Sequence, residues 1–153
     1  MFGDLRERHG IGDCPLVVCV SRLVARKGQD VLIRAMPEIR RRAPDAALLI
    51  VGDGPDRERL ERLASGAPDG SVAFAGQVSE SDLPRYYRAG DVFAMPCRNR
   101  LGGFEVEGWG NVFIEAAACG RPVVVGDSGG ARESLVPGET GLLERLATEF
   151  ADQ

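Results

Sequence analysis

Short apolar runs rich in β-branched residues recur along this chain and alternate with longer stretches in which apolar residues return every three or four positions. The first kind reads as buried strands at residues 16–20, 47–51, 72–75, 92–95 and 122–125, with a short sixth near 141–143. The second reads as amphipathic helices at 29–42, 57–64, 81–88 and 112–119. Runs such as LLIV and PVVV are apolar throughout rather than alternating, as strands covered on both sides must be. The pattern predicts an α/β fold, a Rossmann-like parallel sheet with helices on both faces. Ligands of such sheets bind beyond the carboxyl ends of the strands, so the loops that follow strands are the place to look for function.

The margins break the pattern. Residues 1–14 read as a polar, helical lead-in, 15–143 as the domain, and 144–153 as a charged, truncated tail. With 153 residues, 44% hydrophobic and 27% charged, the chain suffices for one domain with its own core. It carries 19 basic and 23 acidic residues, a net charge of −4, which excludes the basic field of a nucleic-acid binder. Any phosphate is therefore gripped locally. Cys14, Cys19, Cys97 and Cys119 show no CxxC spacing and His9 is the single histidine, so no metal or other cofactor is expected. Free thiols point to the cytoplasm. No apolar run nears the roughly 20 residues of a membrane span, and no charged-then-apolar leader opens the chain.

The densest chemistry lies in RLGGFEVEGWGNVFIEAAACG, residues 100–120. Glu107 stands in a loop and Glu115 one turn inside a helix, with Gly108 and Gly110 between them. Glycines let backbone approach a ligand closely, and the free amides that open a helix attract anions. Two carboxylates flanking such amides can clamp a molecule with hydroxyls at both ends and phosphate in the middle. The same residues also read as a surface glutamate before a turn and another on a solvated helix face. After the first strand come Arg22 and Lys27, one forked cation and one compact, a pairing that suits a diphosphate or is simply two solvated loop charges. Lys27 is the single lysine among the 19 basic residues. The GDGP turn at residues 52–55 imitates a dinucleotide fingerprint, but Arg57 occupies the third glycine position, so a tight turn with a Pro-initiated helix explains it. Ser79 or Ser81 reads as a helix cap, and the loop before it is either an ordinary βα turn or an open one whose main chain could read a base edge.

Taken together, SR-L-x-x-x-KG, the GDGP turn, the G-x-V step and E-x7-E followed by A-x-A-x-G-x-PVV resemble the C-terminal domain of family 4 retaining glycosyltransferases, one half of a GT-B fold. Within that family, RNRLGGFEVEGWGNVFIEA is most similar to the GDP-mannose-dependent phosphatidylinositol mannosyltransferases, which carry a like GG-x-EVEG-x-G segment. The resemblance implies a hexosyltransferase whose donor is a nucleotide-sugar, GDP-mannose, and whose acceptor is a lipid or glycan. It implies that Arg22 and Lys27 neutralise the diphosphate and that Val78 bonds the base through its backbone. Glu107 would hold sugar hydroxyls, helped by the amides of Gly108, Trp109, Gly110, Asn111 and Val112, and Glu115 would bind the ribose. Glu107, Arg22 and Lys27 are thus the groups expected at the reacting centre. Asn111 and Trp109 depart from the aliphatic residue and the smaller Phe or Leu more usual there, which bears on sugar fit.

The partner implied is an N-terminal acceptor domain, without which this domain is expected to be inactive. Through that domain the full-length protein is expected at the inner face of the cell membrane. Two rivals use the same fold, a nucleotide-sugar 2-epimerase and a non-catalytic module; the epimerase needs acid/base residues that a chain with one histidine supplies poorly.

Overall fold

The protein is described here by a computed structural model covering residues 2–144. Six strands form one parallel sheet in the order β3-β2-β1-β4-β5-β6. The strands are β1 (Leu16–Val20), β2 (Ala47–Val51), β3 (Val72–Gly76), β4 (Val92–Met95), β5 (Val123–Gly126) and β6 (Gly141–Glu144). The helices are α1 (Phe2–Arg8), α2 (Gln29–Arg42), α3 (Arg57–Ala64), α4 (Leu83–Ala89) and α5 (Asn111–Ala118). β1 pairs with β2 from Leu16 opposite Ala47 to Val20 opposite Val51, and with β4 through Val17–Val92 and Val18–Phe93. The chain thus leaves β1 in one direction, through β2 and β3, and returns past it to β4. The carboxyl ends of β1 and β4 flank the crevice where the winding reverses.

Every residue of β2 is buried, as its unbroken apolar run requires. α2 and α3 lie side by side with α2 on β2, whereas α4 packs on β1 between α1 and α5, and α5 covers β5. Right-handed crossovers set these two groups on opposite faces. On the α4–α5 face the core is aromatic. Tyr87 packs on Phe93 at 5.6 Å between ring centroids, and Phe93 meets Phe113 edge-on at 5.8 Å. The lead-in is tied to the same core, with Leu5 buried and Arg6 donating to the carbonyls of Ala89 (2.9 Å) and Cys14 (2.7 Å).

The element boundaries differ from expectation where backbone donors decide them. β5 starts at Val123 rather than 122, because Pro122 has no amide, although its carbonyl accepts from Phe93 at 3.0 Å. α4 starts at Leu83 rather than 81, and neither Ser79 nor Ser81 caps it. Instead the Ser79 carbonyl takes the amides of Asp82 and Leu83, and its hydroxyl bonds the Asp82 carboxylate at 2.9 Å. α3 begins at Arg57, two residues past Pro55. Glu144 belongs to β6; the rest of the expected tail, residues 145–153, lies outside the described residues. No helix among the described residues is long and apolar enough to cross a membrane.

Candidate functional site

The loops after β1, β4 and β5 converge on one ion pair. Lys27 ends a short 3-10 turn, Ala25–Lys27, and its ammonium lies 2.6 Å from the Glu107 carboxylate. Both side chains are nearly buried, 12% and 7% exposed. The turn is held over the switch point by Gly28, which adopts φ 78°, and a Cβ there would fall 2.1 Å from the Pro96 carbonyl oxygen at the end of β4. Gln29, buried at the start of α2, donates to the Ser21 hydroxyl at 2.7 Å and the Arg22 carbonyl at 3.0 Å, fixing the other end of that loop.

Glu107 is fixed from the opposite side. Its amide donates to the Ser128 hydroxyl at 3.0 Å, and Ser128 in turn donates to Asn99 Oδ1 at 2.7 Å. Its carbonyl accepts from the Gly130 amide at 3.2 Å. Gly129, with φ 52°, lies so close that a Cβ would stand 1.9 Å from that same carbonyl. A further tie holds the loop after β4, where Arg98 approaches the buried Asp30 at 3.0 Å. Cys97, between these ties, has its thiol pushed up to about 12 by burial first and the Glu107 charge second, so it is a neutral packing group.

Beyond Glu107 the chain turns through Gly110, in the left-handed region at φ 72°, into α5. Among the described residues none accepts a hydrogen bond from the amides of Gly108, Trp109, Gly110, Asn111 or Val112. This run of free donors, at the positive end of an eight-residue helix, has the chemistry to receive an anion. Trp109 is half exposed, and α5 carries Glu115 on its outer side, where the Tyr87 hydroxyl donates to it at 2.6 Å.

Two cavities lie at residues singled out by the sequence. One, of about 360 Å³, spans the carboxyl ends of β1 to β3 and is lined by Arg22, Gly52, Asp53, Gln77, Val78 and Leu83 among others. Among the described residues the Arg22 side chain has no partner there, and neither the amide nor the carbonyl of Val78 has one. The other, of about 450 Å³, is lined by Glu80, Leu83, Pro84, Tyr87, Glu115 and Cys119. Leu83 is their common wall. The sequence-derived residues therefore occupy one edge of the sheet, with Val78 and Arg22 at one end, Lys27, Glu107 and the amides central, and Glu115 beside the second cavity.

Several positioning residues escaped sequence reasoning. Ser128 and Gly129 meet the backbone of Glu107, and their sole signal was the GDSGG run after β5, whereas Asn99, whose side-chain oxygen holds the Ser128 hydroxyl, gave none. Tyr87 carries no signal beyond its place in the amphipathic 81–88 helix, and Gln29 signals itself only as a polar residue on the apolar face of α2. Among the described residues no group of three or more His, Cys, Asp or Glu side chains is placed to hold a metal ion. His9 lies on the opposite, amino edge, its ring 6.0 Å from Tyr86, with its pKa lowered by burial and then by Arg8.

Comparison with known proteins adds the following. Residues 14–153 match the family described as glycosyl transferases group 1. The GDP-mannose-dependent alpha-(1-6)-phosphatidylinositol monomannoside mannosyltransferase of Mycolicibacterium smegmatis is 57% identical over 139 residues, 90% of this chain and 36% of that protein. The monoacylated-substrate counterpart from Corynebacterium glutamicum is 49% identical over 139 residues, again 90% of this chain and 36% of its own length. The chain thus spans about a third of the curated relatives it matches. Among solved structures, Anabaena HepE in complex with UDP-glucose superposes with a TM-score of 0.79 at 29% identity, over 99% of this chain and 41% of that one. Sucrose-phosphate synthase from Thermosynechococcus elongatus gives 0.76 at 36% identity, over 92% and 35%.

Proposed function

This chain belongs to the glycosyl transferases group 1 family, and from that premise we propose that it forms the donor-gripping half of a retaining mannosyltransferase that uses GDP-mannose. The observation that carries the reading is the run of free amides from Gly108 to Val112 between the Lys27–Glu107 pair and Glu115. A nucleotide-sugar laid along this edge puts its base in the cavity at Val78, its ribose at Glu115, its diphosphate on the amides and its sugar at Glu107. Leu83, shared by the two cavities, lies between base and ribose. The mannose and guanine assignments lean on the relatives, whose names specify GDP-mannose.

In this reading the chemistry is driven by the leaving group. As the bond from the sugar to the diphosphate breaks, negative charge grows on the phosphate, where Arg22, Lys27 and the helix amides meet it without reorganising. That charge set needs no metal ion. Glu107 takes the donor sugar's hydroxyls and holds Lys27 in place; it is not a glycosidase nucleophile. Retention follows from attack by the acceptor on the face the diphosphate leaves. The acceptor, a lipid or glycan, is held by a second domain outside this chain, which places the full-length protein at the cytoplasmic face of a membrane. The 153 residues alone bind donor and transfer little, since half of the cleft that aligns the reactants is missing.

Calorimetric titration of the chain with GDP-mannose, UDP-glucose and UDP-N-acetylglucosamine tests this. GDP-mannose binding that weakens in Lys27→Ala and Glu115→Ala is the expected result. Heats unchanged by both substitutions overturn the site, and preference for a uridine donor overturns the mannose assignment alone.

A further inference from the structure

We propose that Tyr87 is a positioning residue for nucleoside recognition, its hydroxyl holding the Glu115 carboxylate in the orientation that receives the two neighbouring hydroxyls of a ribose. The inference rests on the reading of Glu115 as the ribose-binding group.

Tyr87 lies on α4 with its residue 2% exposed, and its ring is wedged on Phe93, which is itself braced by Phe113 from α5. The ring has no room to swing. Its hydroxyl emerges toward the second cavity, which Tyr87 and Glu115 both line. The 2.6 Å separation from Glu115 Oε2 is that of a charge-assisted O–H···O bond. Without that bond Glu115 is a long, rotatable side chain on an exposed helix surface, and fixing it on ligand arrival costs conformational entropy. Tyr87 removes that cost before the ligand arrives. Burial first, and Glu115 second, raise the phenol's pKa, so the hydroxyl remains a donor throughout the ordinary pH range.

The geometry also selects what is bound. A carboxylate offers about four lone-pair sites. Tyr87 takes one on Oε2 and leaves Oε1 and the second Oε2 site to accept two hydroxyl donors from adjacent carbons, as in a ribose diol. An unheld carboxylate loses this bidentate preference before it loses all affinity. Tyr87 therefore sets discrimination between ribose and deoxyribose more than overall grip.

The test is calorimetric, using the whole chain with GDP and 2′-deoxy-GDP, and UDP and 2′-deoxy-UDP, and thermal melts to show each variant folded. The unaltered chain is expected to prefer the ribose form of the diphosphate it binds. Tyr87→Phe should cut that preference by roughly fivefold while leaving the 2′-deoxy affinity within about twofold; a residue that merely braces the fold would weaken both forms alike. Should Tyr87→Phe not fold, Phe93→Leu decides the matter: it loosens the Tyr87 ring while keeping both the phenol and Glu115, so it should lower the preference, and an unchanged preference overturns the positioning role. If Glu115→Ala erases the preference while Tyr87→Phe keeps it, the positioning role is overturned and the ribose reading stands. If the unaltered chain shows no preference, or Glu115→Ala retains it, the ribose reading falls and this inference with it. Absence of any nucleoside diphosphate binding overturns the proposed function as a whole.

Discussion

Lys27 and Glu107 are 80 positions apart in the chain, yet the charged atoms lie 2.6 Å from each other in a nearly dry setting at the point where the sheet reverses its winding. Neither charge is tolerable there alone, because a single buried ion loses its hydration without recompense. Glu107→Ala is expected to destabilise the fold by about 3–5 kcal/mol, measured as the shift in a urea unfolding curve. Lys27→Met combined with Glu107→Leu should recover most of that loss while leaving donor binding abolished, which separates the pair's part in stability from its part in recognition.

Arg22 offers the opposite case. Its side chain is exposed and without a partner among the described residues. Arg22→Ala should leave stability within about 0.5 kcal/mol and still weaken nucleoside diphosphate binding, with the deficit shrinking as salt is raised. A melt and a titration on the same sample check both halves.

Gly129 and Gly138 both adopt positive φ, 52° and 80°, but only Gly129 is crowded, by the Glu107 carbonyl. Gly138→Ala should cost about 1–2 kcal/mol for the left-handed backbone alone. Gly129→Ala should cost at least about 2 kcal/mol more and displace Glu107, so donor affinity falls in the second variant and not in the first. Paired denaturation and binding curves read the difference.

The thiols of Cys19 and Cys97 are both pushed up to about 12, chiefly by burial. They stay neutral in the fold, whereas in the unfolded chain they ionise from about pH 8.5. Their contribution to stability is therefore complete below about pH 8.5 and falls as pH rises toward 12. Urea midpoints should decline across pH 8.5 to 10.5, and at pH 8 a thiol reagent should modify Cys14 and Cys119, which are partly exposed, well before Cys19 and Cys97.

The sheet and most of its helices were legible because β1, β2, β4 and β5 contain unbroken apolar runs and the helices repeat their apolar positions, whereas β6, the GLLE edge strand, gave a shorter signal. Glu107, Glu115 and the glycines between them stood out for a related reason, their closeness in sequence. What stayed hidden depends on contacts across the chain. Asp30 and Arg98 are 68 positions apart and each alone looks like a surface charge. Ser128 serves through a hydroxyl bonded to a backbone amide, and serine is too common in loops to announce that. The boundary of α4 was misjudged because Ser79 and Ser81 suit a helix cap, whereas Ser79 instead bonds the Asp82 side chain.

Gly28 against Pro96 and Gly129 against Glu107 have one more consequence. Both are contacts of backbone with backbone, so the spacing of the loops after β1, β4 and β5 is set by main chain and would persist if the side chains facing the ligand were exchanged. The protein thus separates its frame from its lettering. On the proposed reading, substitutions at Val78 or Trp109 would alter which donor is read without moving the place where it is read, and such a scaffold could diversify its substrates one side chain at a time.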